Sequence, residues 1–365
     1  MLPFAAAARA DGHQLLLVTP KSGGPRAEAA GIPVALGDDP PQEDVSWIWA
    51  EFAAATPRRR ARLVDGLLFP GPRAVALLPT MERATRSWRP DLILREPCEY
   101  SSAVVALNLE VPQATVAISQ GRVEAGALRL AGRTLDQRRA GTAAALRGTP
   151  YLSRFPSSLD PDRFPDTRRY RALEEAGCPW RGRWGDDPRP LVYLTLGTVA
   201  PRLAPQAIPT FEAMARATSK LPVRGLLTTA DGLHPLHGRA PSNLHVEAYV
   251  PQEAVMSAAE VVVCHGGSGT LLGALGIGVP LIILPMLADQ RANGAMVARA
   301  GAGLVLEPPG TAAEVPAAAA SIRSAVARVL GEPAFRVAAQ RIASEMHRAL
   351  PPEVQLRALW DNPET

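Results

Sequence analysis

The residues with the clearest chemical potential lie in the segment Tyr249–Gln290. Within it, the apolar run Val261–Cys264 leads into His265–Thr270, whose sequence is HGGSGT. The glycines of this hexapeptide permit a tight turn and let an oxygen approach the backbone closely. A helix that begins near Ser268 would present unpaired N–H groups and about half a positive charge. The hexapeptide therefore predicts a diphosphate site, while a glycine-rich turn without a ligand remains the alternative.

The side chains of this turn favour an anion as its ligand. Two hydroxyls and one imidazole add hydrogen-bonding groups to the backbone donors. The pattern is neither a GxxxxGK[ST] loop nor a GxGxxG dinucleotide turn, and no lysine lies nearby. The predicted diphosphate-binding residues are His265, Gly266, Gly267, Ser268, Gly269 and Thr270.

Three flanking positions could complete this site. Asp289 and Gln290 stand at the next strand-to-helix junction, where a carboxylate and an amide suit sugar hydroxyls, although such a pair is also a common helix cap. Gly197–Thr198 follows the predicted strand Leu191–Leu196 and could add a hydroxyl to the same phosphates; a turn glycine followed by a cap is the alternative. Tyr249–Gln252 offers a ring that could stack on a base, with a core aromatic and a routine helix-start proline as the alternative.

Short apolar runs alternate with helical patterns along the whole chain and must position these residues. Because the runs are apolar on both faces, they indicate parallel sheets covered by helices. The helical stretches include Arg73–Ser87, Glu124–Leu146 and Gln206–Thr218. The predicted strands are Gln14–Thr19, Asp91–Arg95, Gln113–Ile118, Leu191–Leu196, Val223–Thr228, Leu244–Ala248, Val261–Cys264, Val279–Leu284 and Gly303–Leu306.

The organisation predicts an α/β protein of two doubly wound domains that face a cleft. A proline- and glycine-containing stretch, Cys178–Pro190, is the expected linker. We expect a first domain over residues 1–180, a second domain over 190–345, and a terminal helix over 346–365 that returns to the first domain. The chain opens in a helix, Leu2–Ala10, and a doubly wound domain normally opens with a strand, so we expect a first strand to be missing.

Composition excludes some partners and favours a compartment. The 39 basic and 35 acidic residues are intermixed and give a net charge of +4, which is too balanced for a nucleic-acid surface. Cys98, Cys178 and Cys264 lack metal-ligand spacing and are typical of a reducing cytoplasm. No apolar stretch has transmembrane length. We expect a cytoplasmic protein without a membrane span.

Together, YVPQ at Tyr249–Gln252, HGGSGT at His265–Thr270 and LADQ at Leu287–Gln290 resemble the nucleotide-binding signature of inverting GT-B glycosyltransferases. LGT at Leu196–Thr198 and FPSSLD at Phe155–Asp160 fit the same pattern. The likeness is greatest to bacterial enzymes that glycosylate polyketides, macrolides and enediynes. It covers nearly the whole chain and is specific from about residue 191 to 308.

This resemblance implies a GT-B fold and transfer of a sugar, often a deoxysugar, from a UDP- or TDP-sugar to a hydroxyl of a hydrophobic natural product. It also implies that no metal or other cofactor is needed, because the helix start and hydroxyls offset the leaving-group charge. A homodimer is a further expectation. It makes residues 1–180 the acceptor-binding domain and residues 190–345 the nucleotide-sugar-binding domain. The implied contacts are Tyr249 and the Val250 backbone with the base, Gln252 with the ribose, Thr198, His265, Gly267, Ser268, Gly269 and Thr270 with the diphosphate, and Asp289 and Gln290 with the sugar.

The family's catalytic base is a histidine in the loop after the first strand, and this sequence does not contain it. His13 does not replace it, because it starts the second predicted strand. The histidine is usually oriented by a carboxylate. Glu96, at the end of the strand Asp91–Arg95 and close to Glu99, matches that acidic partner, and a solvent-facing loop glutamate is the alternative.

Two further questions stay open in the sequence. Trp47, Trp49, Phe52 and Phe69 are candidates for an apolar acceptor pocket, and some of them could be core residues. The chain could also be a nucleotide-sugar-binding helper that lacks the base, or an epimerase of nucleotide sugars.

Overall fold

The computed structural model describes residues 1–172, 187–230, 236 and 240–361. The chain divides into two compact units: unit 1 comprises Met1–Leu173 and Ala349–Thr365, and unit 2 comprises Glu174–Arg348. Most of the linker expected at Cys178–Pro190 falls outside the described residues. The terminal segment groups with unit 1.

Unit 1 contains short parallel strands between helices. Its strands form two sheets, one of two strands and one of four in the order β3-β4-β5-β6. A ten-residue π-helical segment, Val64–Arg73, joins α4 to α5. In chain order, the elements are α1 (Leu2–Ala10), β1 (Leu17–Pro20), α2 (Gly24–Ala29), β2 (Val34–Gly37), α3 (Gln42–Ala54), α4 (Pro57–Leu63), α5 (Ala74–Trp88), β3 (Ile93–Arg95), α6 (Ser101–Leu109), β4 (Gln113–Val116), α7 (Gly121–Arg138), α8 (Thr142–Gly148), β5 (Tyr151–Ser153) and β6 (Thr167–Arg169).

Unit 2 is a single six-stranded parallel sheet with helices around it. The strand order is β12-β11-β10-β7-β8-β9. Its elements are β7 (Leu191–Thr195), α9 (Ala200–Leu203), α10 (Ala207–Thr218), β8 (Arg224–Thr228), β9 (Leu244–Glu247), α11 (Gln252–Met256), β10 (Ala259–Cys264), α12 (Ser268–Gly276), β11 (Leu281–Ile283), α13 (Gln290–Arg299), β12 (Gly303–Val305), α14 (Val315–Gly331) and α15 (Pro333–Arg348). The last helix of the chain, α16 (Pro352–Asp361), belongs to unit 1.

The parallel α/β architecture is confirmed, and α1 has the predicted bounds. The helix predicted over Glu124–Leu146 is wrong as one element: α7 ends at Arg138, where Arg139 has extended backbone, and α8 begins after Gly141, whose φ of +79° is left-handed. Three short strands, β2, β5 and β6, were not predicted. They contain as few as three residues, and β6 is only half-buried, so they carry little hydrophobic signal.

Burial explains why the unit 2 strands are apolar throughout. β7 is buried along its whole length and β10 at every position except one. The core packs α10 and α14 against this sheet through residues such as Phe211 and Ile322. Parallel strands that are covered on both faces favour continuous apolar sequence. Across the described part of the chain, no helix is long and apolar enough to cross a membrane.

Candidate functional site

The predicted phosphate turns lie at the point where the unit 2 sheet reverses its winding. Strands β8 and β9 lie on one side of β7, and strands β10, β11 and β12 lie on the other side. The carboxyl ends of the neighbouring strands β7 and β10 lead into Gly197 and His265. Ligands of open α/β sheets bind at such a switch point. The fold thus brings together two turns that are 68 residues apart in the sequence.

The His265 ring lies directly against both glycine turns. A Cβ at Gly197 would sit 2.8 Å from Cε1 of His265, and a Cβ at Gly267 would overlap its Nε2. Gly197 also has a φ of +68°, which favours glycine. A side chain at either position would collide with the imidazole, so the close packing of His265 favours glycine at both positions.

His265 is uncharged at neutral pH. Burial lowers the pKa of His265 to about 4, although the nearby Asp289 carboxylate acts in the opposite direction. Its Nδ1 is buried and has no hydrogen-bond partner among the described residues. The ring can therefore offer a ligand a hydrogen bond but no positive charge.

The start of α12 is open to a ligand. Gly266 has a φ of +86°, and no side chain caps the helix. The first N–H groups of a helix have no intrahelical acceptor, so those of Ser268, Gly269 and Thr270 face the turn. Gly269 is exposed, and a Cβ added to it would meet nothing within 4 Å. Packing within the protein does not demand glycine at position 269, whereas close approach of a phosphate would.

Asn293 is a site residue that the sequence did not reveal. It is fully buried on α13, and its Nδ2 donates to the Gly266 carbonyl at 2.9 Å and to Asp289 Oδ2 at 3.1 Å. Ser268 Oγ lies 3.2 Å from the same Asp289 oxygen. Asn293 thereby ties the predicted sugar-binding carboxylate to the phosphate turn. The one feature of the sequence that could have indicated Asn293 as a site residue is its position one helical turn after Asp289.

Asp289 and Gln290, the predicted sugar-binding pair, make different hydrogen bonds. Gln290 is buried, and its Oε1 accepts hydrogen bonds from the backbone N–H groups of Met286 and Leu287. Ala288, between this loop and Asp289, has a φ of +53°, a conformation that side-chain-bearing residues rarely adopt. Such strain is found preferentially at functional sites. Contacts of Asp289 and Gln290 with a sugar stay a prediction.

The Tyr249–Gln252 segment leads from β9 into α11. The Tyr249 ring is 67% exposed, so the alternative of a core aromatic is wrong, whereas Val250 is buried. Gln252 Nε2 donates to Thr270 Oγ1 at 3.1 Å, which ties this segment to α12. Thr198 is exposed in the turn that follows β7. The base and ribose contacts implied for these residues stay predictions.

In unit 1, Glu96 directly follows β3. Its Oε2 accepts a hydrogen bond from the Cys98 backbone N–H at 2.9 Å, and burial raises its pKa. Glu99 instead receives the Ser101 and Ser102 backbone N–H groups at the start of α6. Glu96 is half-buried, so it is not the solvent-facing glutamate considered as the alternative. Its role as an acidic partner stays a prediction.

The other unit 1 candidates divide between surface and core. Trp47 and Trp49 are exposed, whereas Phe52 and Phe69 pack against buried clusters. His13 stacks on Trp360 of α16, with ring centroids 4.0 Å apart. Among the residues that the structure describes, no group of three His, Cys, Asp or Glu side chains could hold a metal ion.

Known proteins resemble the chain over nearly its whole length. The family described as Erythromycin biosynthesis protein CIII-like, C-terminal domain, matches residues 216–359. Elloramycin glycosyltransferase ElmGT of Streptomyces olivaceus is 32% identical over 98% of this chain and 92% of its own. L-demethylnoviosyl transferase of Streptomyces niveus is 29% identical over 98% of this chain and 93% of its own.

Solved structures show the same fold. Spinosyn rhamnosyltransferase SpnG superposes with a TM-score of 0.81 at 22% identity and covers 99% of this chain and 95% of its own. The glycosyltransferase SnogD from Streptomyces nogalater has a TM-score of 0.76 at 25% identity and covers 98% of this chain and 94% of its own. A further SpnG structure is complexed with thymidine diphosphate.

The fold is that of the GT-B glycosyltransferases. The chain belongs to the GT-B glycosyltransferases of antibiotic and secondary-metabolite type, as the full-length similarity to elloramycin glycosyltransferase shows.

Proposed function

We propose that this protein is an inverting glycosyltransferase that moves a sugar or deoxysugar from a TDP- or UDP-sugar to a hydroxyl of a hydrophobic natural-product aglycone. The observation that carries the proposal is the uncapped start of α12 beside Gly197 and His265, at the switch point of unit 2. That position offers several backbone donors and the positive end of a helix to a diphosphate.

The same groups would support the chemistry. In an inverting transfer, the acceptor oxygen attacks the anomeric carbon while the bond from that carbon to the diphosphate breaks on the opposite face. The diphosphate gains negative charge as it leaves, and fixed N–H donors stabilise such charge. We propose that the α12 start, Ser268, Thr270, Thr198 and neutral His265 provide this stabilisation, and that no metal or other cofactor takes part.

The remaining roles follow the family's pattern as proposals. Tyr249 would stack on the base, the Val250 backbone would meet its edge and Gln252 would contact the ribose. The exposed ring of Tyr249 supports the first of these roles. Asp289 would hold sugar hydroxyls, and its hydrogen bonds to Asn293 and Ser268 support a place beside the phosphates.

The acceptor and its activation belong to unit 1 in this proposal. A base must take the proton of the acceptor hydroxyl as the new bond forms. Glu96 would orient such a base, and its position at the carboxyl end of β3 supports that role. A cytoplasmic location and a homodimer complete the proposal.

Transfer itself is the test. The protein would be incubated in EDTA with TDP-glucose or UDP-glucose and a set of phenolic polyketide aglycones, followed by mass spectrometry and NMR of the anomeric proton. We expect a β-glycoside from the α-linked donor, with turnover reduced at least tenfold by Ser268→Ala. The control is Ser257→Ala, which removes an exposed hydroxyl bonded to the Ala254 carbonyl in the same unit.

Each other outcome corrects a stated part of the proposal. An α-glycoside would contradict inversion, and turnover only after magnesium is restored would contradict metal independence. Nucleotide binding without transfer to any aglycone would instead indicate the helper protein that the sequence left open.

A further inference from the structure

A single buried amide, that of Asn293 on α13, contacts both the phosphate turn and the Asp289 carboxylate. Its Nδ2 donates to the Gly266 carbonyl at 2.9 Å, to Asp289 Oδ2 at 3.1 Å and to Ser268 Oγ at 3.3 Å. The Gly266 carbonyl and an ionised carboxylate can only accept, so the NH2 end of the amide must face them. Because the Asn293 side chain is fully buried, these bonds hold it in one orientation.

The Asp289 carboxylate is turned away from its own helix. Asp289 holds the N-cap position of α13, where a carboxylate ordinarily accepts from the first backbone N–H groups of the helix. Among the described residues it makes no such cap bond. Its Oδ2 accepts instead from Ser268 Oγ at 3.2 Å and from Asn293. The carboxylate is thereby held against the first residue of α12, where the diphosphate is proposed to bind.

A carboxylate at this position acts differently on the substrate and the product of the proposed transfer. In a TDP-sugar the outer phosphate is esterified, and the sugar hydroxyls beside it can donate to the carboxylate. In TDP the outer phosphate is free and carries about one further negative charge. The carboxylate repels that charge, and repulsion of a competing ligand is one way in which a site gains specificity. Asp289 therefore favours the sugar donor over the nucleotide that is left after transfer.

Asn293 keeps the carboxylate in this position when a ligand arrives. The Ser268 hydroxyl has one proton, which it gives either to Asp289 or to a phosphate oxygen. Once Ser268 donates to the phosphate, Asn293 still donates to Asp289 Oδ2. Without Asn293, the α13 N–H groups would compete for the carboxylate, since an aspartate at an N-cap bonds them readily.

We infer that Asn293 is a positioning residue, which holds Asp289 beside the start of α12 and so makes the site discriminate a TDP-sugar from TDP. The inference rests on the proposed function of this turn. Asn293 acts through Asp289, because its own side chain is fully buried whereas that of Asp289 is partly accessible.

Calorimetric titration of the full chain with TDP-glucose and with TDP, in EDTA, tests this inference through the ratio of the two dissociation constants. We expect Asn293→Ala to raise the Kd of TDP-glucose relative to that of TDP about tenfold, because the donor loses hydrogen bonds and TDP loses a repulsion. Asp289→Ala should raise the ratio by a similar factor. Asn293→Ala added to Asp289→Ala should raise it no further. Misfolded molecules would lower the stoichiometry of both titrations and leave the ratio unchanged.

Asn243→Ala is the matched control in the same unit. Asn243 is also buried, and its Nδ2 contacts three backbone carbonyls, those of Thr218, Leu221 and Val223. Asn243 directly precedes β9 and Val223 directly precedes β8, so this amide lies at the amino ends of the strands, away from the phosphate turn. The variant should lose comparable stability and keep the wild-type ratio.

Asn293→Ser provides a second test, because its short hydroxyl can still donate to one neighbour while it no longer reaches all three. Its ratio should lie between those of wild type and Asn293→Ala. An unchanged ratio in both Asn293 variants, an equal rise in Asn243→Ala, or a further rise in the Asp289→Ala background would overturn the inference and leave the proposed function standing. Failure of wild type to bind either nucleotide would overturn both.

Discussion

The turns before α6 and α7 in unit 1 and the turn before α12 in unit 2 treat their backbone N–H groups in opposite ways. In unit 1, Glu124 accepts from the Ile118 and Ser119 N–H groups after β4, and Asp160 accepts from the Gly121 N–H at the start of α7. Glu99 does the same at the start of α6. In unit 2, glycines replace the acids at the corresponding turn after β10, and no side chain caps α12.

This difference separates two kinds of recognition. A turn whose N–H groups already bond a carboxyl group of the same chain has those donors occupied. A start that is lined by glycines and hydroxyls leaves its donors for a ligand. In the proposed function, unit 2 accordingly binds the diphosphate through backbone N–H groups, and unit 1 recognises the acceptor through side chains.

The buried carboxylate of unit 1 gives the largest expected effect. Burial raises the pKa of Glu124 to about 8, against the opposing hydrogen bond from Tyr151. Because its folded pKa is higher than its unfolded one, Glu124 stabilises the fold below pH 4.5, and this contribution is lost as pH rises to about 8. The change is on the order of 5 kcal/mol.

Glu124→Gln keeps the shape of the neutral acid and cannot ionise. We expect the variant to lose less stability than wild type between pH 4.5 and 8, as measured by hydrogen exchange of β4. Part of the slope should remain, since burial also raises the pKa of Asp160. Equal slopes in the two proteins would mean that Glu124 is ionised in the folded state.

A carboxylate placed at the start of α12 should occupy or block the N–H groups that are proposed to bind the diphosphate, as the acids do in unit 1. Gly269→Asp would put a negative charge about 5 Å from the expected phosphates, which costs about 3 kcal/mol at an effective dielectric constant of 20. TDP affinity should fall more than a hundredfold, while the melting temperature holds or rises, because acids favour helix starts. Gly269→Asn has nearly the same bulk without the charge. Equal losses for Asp and Asn would show that space, rather than charge, excludes the ligand.

His265 predicts a pH response of unit 2 that is opposite to that of unit 1. Burial lowers its pKa to about 4, so unfolding is favoured as pH falls from 6.5 towards 4, where only the unfolded state readily binds the proton. The expected loss is about 3 kcal/mol. His265→Asn should reduce the slope of unit 2 stability with pH in that range, followed by hydrogen exchange of β10. A slope as steep as in wild type would assign the acid response to other groups.

The sequence revealed the parts of the site that depend on local rules. The apolar run before His265 indicated a buried strand, and three glycines within four residues indicated the turn that follows it. The strands β7 and β10 therefore ended close to where they were predicted, and the resemblance assigned the correct fold.

What escaped prediction depends on contacts between distant residues. Asn293 lies 27 residues from Gly266, and Tyr193 lies 35 residues from Thr228, so their hydrogen bonds exist only in the folded sheet. Glu124 resembled an ordinary polar residue of an amphipathic helix, and only the fold shows that it is buried. Local patterns thus predicted the turn at His265–Thr270, but not the side chains whose hydrogen bonds fix the position of that turn.

Calorimetric titration of TDP in EDTA, with wild type and two glycine variants, tests the central claim most directly. Gly269→Ala and Gly126→Ala each place a methyl group in a helix without a steric clash, and each should gain up to about 1 kcal/mol of stability. The account predicts micromolar binding by wild type and Gly126→Ala, and at least tenfold weaker binding by Gly269→Ala despite its greater stability. Absence of TDP binding to wild type, or full affinity in Gly269→Ala, would contradict a diphosphate site at the start of α12.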